Sequence, residues 1–235
     1  MSKRLDAVLS ASGFTRNEAQ KMIKIKKVAV NGTVTNVVSF RVEDGDEVTV
    51  DGKVLDREKY IYLALYKPAG YVSTTDDTPD SVMKIIPKEY MRKGLAPVGR
   101  LDKDSEGLLI LSNDGDFAHA MISPKKNVEK LYYIETERPI TEADCEAAAK
   151  GVILADGDEC LPATLSVCPP REDARGEFAA QMIIREGKYH QVKRMIASRN
   201  NRVTRLLRLK VGEYTLEGMA EGEIKRFYPD KGLAK

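Results

Sequence analysis

The chain has 235 residues, 42% of them hydrophobic and 31% charged, enough apolar content to bury a sizeable core in one large domain or two smaller ones. No run approaches the roughly 18 uninterrupted apolar residues of a membrane helix, and the opening MSKRLDAVLSASG lacks the apolar stretch of a secretory signal, so a soluble, cytoplasmic protein is expected. Cys145, Cys160 and Cys168 are odd in number and form no CxxC pair, which argues against a disulfide frame or a zinc site, and the net charge of +2 is too mild to name a partner.

The charge is unevenly spread. In the first 30 residues Lys3, Arg4, Arg16, Lys21, Lys24, Lys26 and Lys27 meet only Asp6 and Glu18, whereas residues 43–51 are acidic. Residues 2–13 read as a helix that Ser2 can cap, with Leu5, Val8 and Leu9 at core spacing and Gly13 at its end. A second helix follows, opened by a Thr15-x-x-Glu18 capping box; Ala19, Met22 and Ile23 form its apolar stripe and leave Arg16, Lys21, Lys24 and Lys27 to solvent or phosphate. VAVNGTVTN reads as a hairpin around Asn31-Gly32, and DGDEVTVDG as a short strand. The polar stretch VLDREKY, residues 54–60, reads as a linker, which sets a small domain over 1–55 and a larger one over 60–235.

In the larger domain YIYLALYKPAGYVST predicts strand, turn and strand, and the continuous apolar run GLLILS predicts a strand buried on both faces. A helix over 116–123, the strand LYYIET, a helix over 141–150 stopped by Gly151, an Asp156-Gly157 hairpin, the strand FAAQMII, a helix over 189–199 and the strand RVTRLLRLKVG follow.

The most specific segment is Gly99-Arg100-Leu101-Asp102-Lys103-Asp104-Ser105-Glu106-Gly107-Leu108-Leu109-Ile110-Leu111-Ser112-Asn113-Asp114-Gly115. It resembles the catalytic motif of the pseudouridine synthases that act on ribosomal RNA. The KPAG turn at 67–70, the Lys130-Leu131-Tyr132 triplet and EGKYHQVKRM at 186–195 resemble that family's other motifs in the same order. The first 50 residues separately resemble the RNA-binding domain first seen in ribosomal protein S four. The resemblance implies an α+β catalytic domain, a mixed and mostly antiparallel sheet with flanking helices, preceded by a small α/β RNA-binding domain. It implies isomerisation of a uridine in ribosomal RNA, closest to the small-subunit branch, which the compact length without a long basic tail also suits. A large-subunit synthase, or a catalytically silent RNA-binding assembly factor, is the alternative. Ribosomal RNA or an assembling subunit is the expected partner, and the chain is expected to act as a monomer.

The isomerisation breaks the bond from base nitrogen to sugar and rejoins the base through carbon with no redox change, so no cofactor and no metal are expected. A carboxylate can supply the nucleophile, and Asp102 stands just ahead of a rigid strand that would fix it in a pocket wall. From spacing alone a turn aspartate is the favoured reading; the resemblance makes Asp102 catalytic and gives Asp104 no such role. A cation beside a buried carboxylate keeps it ionised, and Lys193, on the flank of a helix whose core stripe is Val192, Met195 and Ile196, fits that place, with Arg194 and His190 pointing further out. Many relatives carry Arg there, so this chain offers a point charge in place of a fork. The resemblance puts Tyr132 against the flipped base and Leu206, an apolar residue on an otherwise polar strand face, in the pocket wall. Arg100 is expected at the site, and Arg4, Arg16, Lys21, Lys24, Lys27 and Arg194 on RNA phosphates. The chain departs from the family pattern at Tyr66, where Asn is usual, and at Asn200, where Gly is common.

Overall fold

The computed structural model describes residues 2–229, which cluster into two compact units. The first takes residues 2–61 together with Ile85–Leu95. Its elements are β1 (Lys3–Arg4), α1 (Leu5–Ala11), α2 (Arg16–Lys24), β2 (Val28–Val30), β3 (Thr33–Val34), β4 (Arg41–Val42), β5 (Val48–Val50) and β6 (Lys53–Val54). β1 pairs with β4, and β3-β2-β5-β6 form an antiparallel sheet. Leu5, Leu9, Ala19 and Ile23 from the helices meet Val28, Val42 and Val48 from the strands in one apolar core. The capping box of α2 forms as expected: the Thr15 hydroxyl accepts from the Glu18 amide, and the Glu18 carboxylate accepts from the Thr15 amide. The hairpin turn at Asn31-Gly32 also forms, both residues at positive φ.

Three expectations need correction in this unit. The first helix does not start at Ser2, because Lys3 and Arg4 are drawn into an extended pairing with Arg41 and Val42; Arg4 is the N-cap and its side chain makes no cap bond. Residues 55–57 are not a free linker, since the Leu55 amide bonds the Val48 carbonyl and the Arg57 guanidinium donates to the carbonyls of Asp46 and Glu43. Residues 85–95, read from the sequence as part of the larger domain, cluster with this first unit. There the buried Arg92 pairs with Asp56 at 2.9 Å and donates to the Ser12 carbonyl. Gly13 is at φ +99°, and a Cβ on it would stand 2.2 Å from the Met91 carbonyl oxygen, so only glycine permits that approach.

The second unit holds β7 (Tyr62–Lys67), β8 (Ala96–Val98), β9 (Glu106–Ser112), α3 (Gly115–Ile122), β10 (Lys130–Thr136), α4 (Glu142–Lys150), β11 (Thr164–Cys168), β12 (Phe178–Ile184), α5 (Gln191–Ala197), β13 (Val203–Val211), β14 (Tyr214–Thr215) and β15 (Ile224–Arg226). Among the described residues these strands form one nine-stranded sheet in the order β11-β12-β10-β13-β9-β7-β15, with β8 on β9 and β14 on β13. Every pairing is antiparallel except β9 with β13, so the fold is α+β with a mostly antiparallel sheet. β9 is buried along its whole length, as its unbroken apolar run requires.

Register defines the two faces. Tyr66, Leu108, Ile110, Tyr133 and Leu207 turn to one side, where Phe117 and Met121 of α3 complete an apolar core. One residue along, Lys67, Gly107, Arg208, Tyr132 and Met182 pair in a single row across five strands, and alternation turns them to the opposite face. At the parallel junction Gly107 is at φ +109°, and a Cβ would lie 2.3 Å from the Arg208 carbonyl oxygen; the glycine lets β9 and β13 meet.

Some elements differ from expectation here too. The stretch after the KPAG turn is not a strand but bridges only at Val72–Ser81, because its polar groups bond the loop of Asp102. The Asp156-Gly157 turn closes a single bridge, Ile153–Glu159. The last helix starts at Gln191 because His190, at φ 47° and ψ 34°, leaves the helical path. Asn200 takes φ 55°, the left-handed conformation for which Asn stands in place of glycine.

Candidate active site

The site centres on the loop between β8 and β9, residues 99–105, which lies on the row that runs from Lys67 to Tyr132. Four neighbours hold its backbone. The Arg208 guanidinium donates to the Arg100 carbonyl at 3.3 Å and to the Leu108 carbonyl at 2.8 Å. The Ser73 hydroxyl donates to the Leu101 carbonyl at 2.9 Å and accepts from the Leu101 amide at 3.0 Å. The Gly70 amide donates to the Lys103 carbonyl at 2.7 Å. Lys67, with no exposed surface, donates from Nζ to the carbonyls of Ser105 at 2.7 Å, Pro68 at 2.9 Å and Lys103 at 3.4 Å. Burial pushes the Lys67 ammonium down to about 8, against the pull of the Asp104 and Asp102 carboxylates. The loop is thus fixed by carbonyl contacts rather than by its own secondary structure, which preorganises the carboxylate it carries.

On that loop Asp102 is partly exposed and meets two cationic or ionisable neighbours from the start of α5. Lys193 Nζ lies 2.9 Å from Oδ2, and His190 Nε2 lies 3.3 Å from Oδ1. Lys193 also reaches Asp104 at 2.6 Å, so one ammonium bridges two carboxylates. Burial opposes the charge on Lys193, yet the hydrogen bonds and charges of Asp104 and Asp102 hold its ammonium above the usual lysine range. Asp104, against the burial that would raise it, is held below the usual carboxylate range by Lys193. The pairing of Asp102 with Lys193 and a place for His190 in shaping the pocket were expected from the sequence; the sharing of Lys193 with Asp104 and the direct contact of His190 with Asp102 were not.

Tyr132 is the next member of the row after Arg208, and Leu206 turns to the same face opposite Ile134; both are 7% exposed. Arg100 is exposed, and its contribution to the described hydrogen bonds is its carbonyl. Arg194 is engaged within the protein: it ion-pairs with Asp156 and with Asp158, and it donates to the Tyr189 carbonyl at 3.1 Å. In the first unit Arg16, Lys21 and Lys24 are exposed along α2, whereas Arg4 pairs with Asp6 and Lys27 with Asp51.

Sequence reasoning missed the residues that hold the loop. Lys67 ends a buried apolar strand just ahead of Pro68, an unusual place for a lysine, and that was the available signal. Arg205 has the same parity as Leu207 along β13 and was passed over. It is buried behind the site, where it pairs with Glu106 at 2.9 Å, Glu135 at 3.3 Å and Asp173 at 2.8 Å. Arg205 holds the Asp173 carboxyl down at about 2. No group of His, Cys, Asp and Glu among the described residues is arranged to hold a metal ion, and none of the described helices is long and apolar enough to cross a membrane.

Comparison with known proteins gives these residues a context. A family model described as RNA pseudouridylate synthase matches residues 61–198, and one described as S4 domain matches residues 3–48. The chain is 37% identical over 226 residues to an uncharacterized RNA pseudouridine synthase of Bacillus subtilis, covering 94% of this chain and 93% of the relative. It is 34% identical over 226 residues to ribosomal small subunit pseudouridine synthase A of Escherichia coli, covering 94% and 95%. A crystal structure of a pseudouridylate synthase superposes with a TM-score of 0.63 at 33% identity, covering 96% of each chain. With its catalytic-type sheet, the loop of Asp102 and a family match over more than half its length, the chain belongs to the RNA pseudouridylate synthases and carries an S4 domain ahead of the synthase domain.

Proposed function

We propose that this enzyme converts one uridine of small-subunit ribosomal RNA to pseudouridine, with Asp102 as the catalytic carboxylate. The observation that carries the reading is the Asp102 carboxylate on a backbone-clamped loop, 2.9 Å from the ammonium of Lys193. Substrate and product are isomers. The bond from uracil N1 to sugar C1′ is exchanged for one from C5 to C1′, and a proton leaves C5 while N1 gains one. No electron acceptor enters that balance, so the chain has to supply a carboxylate, a grip on the base and exclusion of competing water.

Each need has a candidate residue. Lys193, 2.9 Å away, orients the carboxylate, and Tyr132 offers an aromatic surface for a base withdrawn from its stack. Leu206 forms an apolar wall on the same face. Extrusion is cheapest for a uridine in a loop or near a helix end, at a cost of a few kcal/mol, which favours structured RNA with unpaired segments as substrate. The exposed Arg16, Lys21 and Lys24 of α2 supply phosphate contacts, so affinity should fall as salt rises. The choice of small-subunit RNA rests on the names and the extent of the relatives, such as the Escherichia coli enzyme that matches over 94% of this chain.

The test is a map of pseudouridine by carbodiimide-dependent primer extension on small-subunit and large-subunit RNA, naked and in assembling particles, incubated with the wild-type protein. One new stop in small-subunit RNA is expected. A stop only in large-subunit RNA would move the enzyme to the other branch, and bound RNA with no stop in any preparation would leave an RNA-binding factor.

A further inference from the structure

Tyr189 is the most exposed large apolar side chain among the described residues, at 76%, and it stands one residue from a group that touches the catalytic carboxylate. Its ring stacks on His190 with centroids 3.8 Å apart and planes 19° from parallel, and His190 Nε2 in turn lies 3.3 Å from Asp102 Oδ1. The imidazole thus touches the carboxylate through a ring nitrogen and carries the phenol on its face. One face of the phenol is covered by His190 and the other is bare.

The segment that presents this stack is tied down by hydrogen bonds on both sides of it. The Gln191 amide bonds the Lys188 carbonyl at 3.2 Å, and the Gln191 side chain accepts from the Lys188 amide at 3.0 Å and donates to Glu186 at 2.5 Å. Lys188 Nζ donates to the Glu159 carbonyl at 2.8 Å, and Arg194 donates to the carbonyl of Tyr189 itself at 3.1 Å. His190 is held at φ 47°, in the left-handed region that L residues adopt rarely. A strained, fixed turn that leaves an aromatic face bare beside a reactive group suits a ligand with a flat face of its own.

We propose that the Tyr189–His190 stack is a platform for a base of the RNA strand next to the target uridine. The target itself must reach Asp102, and a base on the outer face of Tyr189 is separated from His190 by a full aromatic layer, so the platform takes a neighbour and not the reacting nucleotide. Stacking is tolerant of base identity, so the platform orders the single strand around the flipped uridine without reading sequence. This inference rests on the RNA-modifying reading above.

The chain has no tryptophan, so Tyr189→Trp creates a lone fluorescent reporter at the position in question. In an Asp102→Asn background, titration with a small-subunit RNA transcript and with a 12-nucleotide oligouridylate should quench that indole. In the active protein, Tyr189→Leu should weaken RNA binding and raise KM by about 5- to 150-fold with unchanged thermal stability, while Tyr189→Phe restores the wild-type value. An unquenched indole at saturating RNA, or a Tyr189→Leu variant with wild-type KM and affinity, would overturn the platform. So would a Tyr189→Phe variant as poor as Tyr189→Leu, since the hydroxyl and not the ring face would then matter. Quenching together with no pseudouridine from the wild type would keep the platform and remove the substrate reading; the opposite pattern would remove the platform alone.

Discussion

Two ionic clusters sit on opposite faces of the same sheet and do different things with the same chemistry. Around Arg205, Glu106, Glu135 and Asp173 close on one guanidinium, and Glu106, Glu135 and Arg205 have almost no exposed surface. Around Asp102, a lysine is divided between two carboxylates, one of them 75% exposed, and a histidine approaches from the side. The planar fork of Arg205 satisfies three carboxylates in fixed directions, which suits a mostly buried cluster that joins β9, β10 and β13 and opens to solvent only at Asp173. The ammonium of Lys193 has no preferred plane and is shared between Asp102 and Asp104. Burial turns charge into scaffold on one face, and partial exposure leaves it available on the other.

Removing a charge from each cluster should therefore break different things. Arg205→Ala leaves Glu106 with only the exposed Arg175, at 2.8 Å, and Glu135 without its guanidinium, and urea denaturation should show a loss of about 3 kcal/mol in folding stability. Lys193→Met should leave the urea midpoint close to wild type, because its partners are reachable by water, while single-turnover formation of pseudouridine slows by about 10²-fold. Equal loss of stability in the two variants would erase the contrast between the faces.

Lys67→Met probes the clamp beneath the loop and should slow turnover by roughly 10-fold, less than the about 10²-fold that a displacement near 1 Å can cost. It should also remove a pH dependence. Burial lowers the Lys67 ammonium from 10.5 to about 8, so between those values the unfolded chain holds a proton that the folded chain lacks. Wild-type stability gains from this group as pH rises through that window and loses the gain as pH falls through about 8. The corresponding slope in urea midpoints should vanish in Lys67→Met.

The difference between the faces also explains how far the sequence could be read. Elements with a strong period or a cap were legible: the capping box at Thr15, the apolar run of β9, and the strands of Tyr132 and Leu206. The pairing of Asp102 with Lys193 followed from family motifs, because each motif carries its chemistry in a short linear pattern. The clamps did not follow. Ser73, Lys67 and Arg208 act on backbone carbonyls 28, 38 and 108 residues away, and carbonyls leave no signature in side-chain patterns. His190 was expected to shape the pocket yet to point outward from a helix, because a helical period that includes it hides the left-handed backbone, at φ 47°, that ends the helix there and goes with its contact to Asp102. The clustering of 85–95 with the first unit was equally hidden, since contacts such as Arg92 with Asp56 join segments 36 residues apart.

The most direct test of the catalytic assignment is the Asp102→Asn variant, followed in parallel by single-turnover formation of pseudouridine and by RNA affinity on the RNA that the wild type modifies. Turnover should fall by about 10⁴-fold or more with affinity within a few-fold of wild type, as expected for a group that acts on the reacting nucleotide rather than on binding. Turnover within 10-fold of wild type, with Asp104→Asn inactive instead, would contradict the assignment of Asp102 and hand the carboxylate role to its neighbour across Lys193.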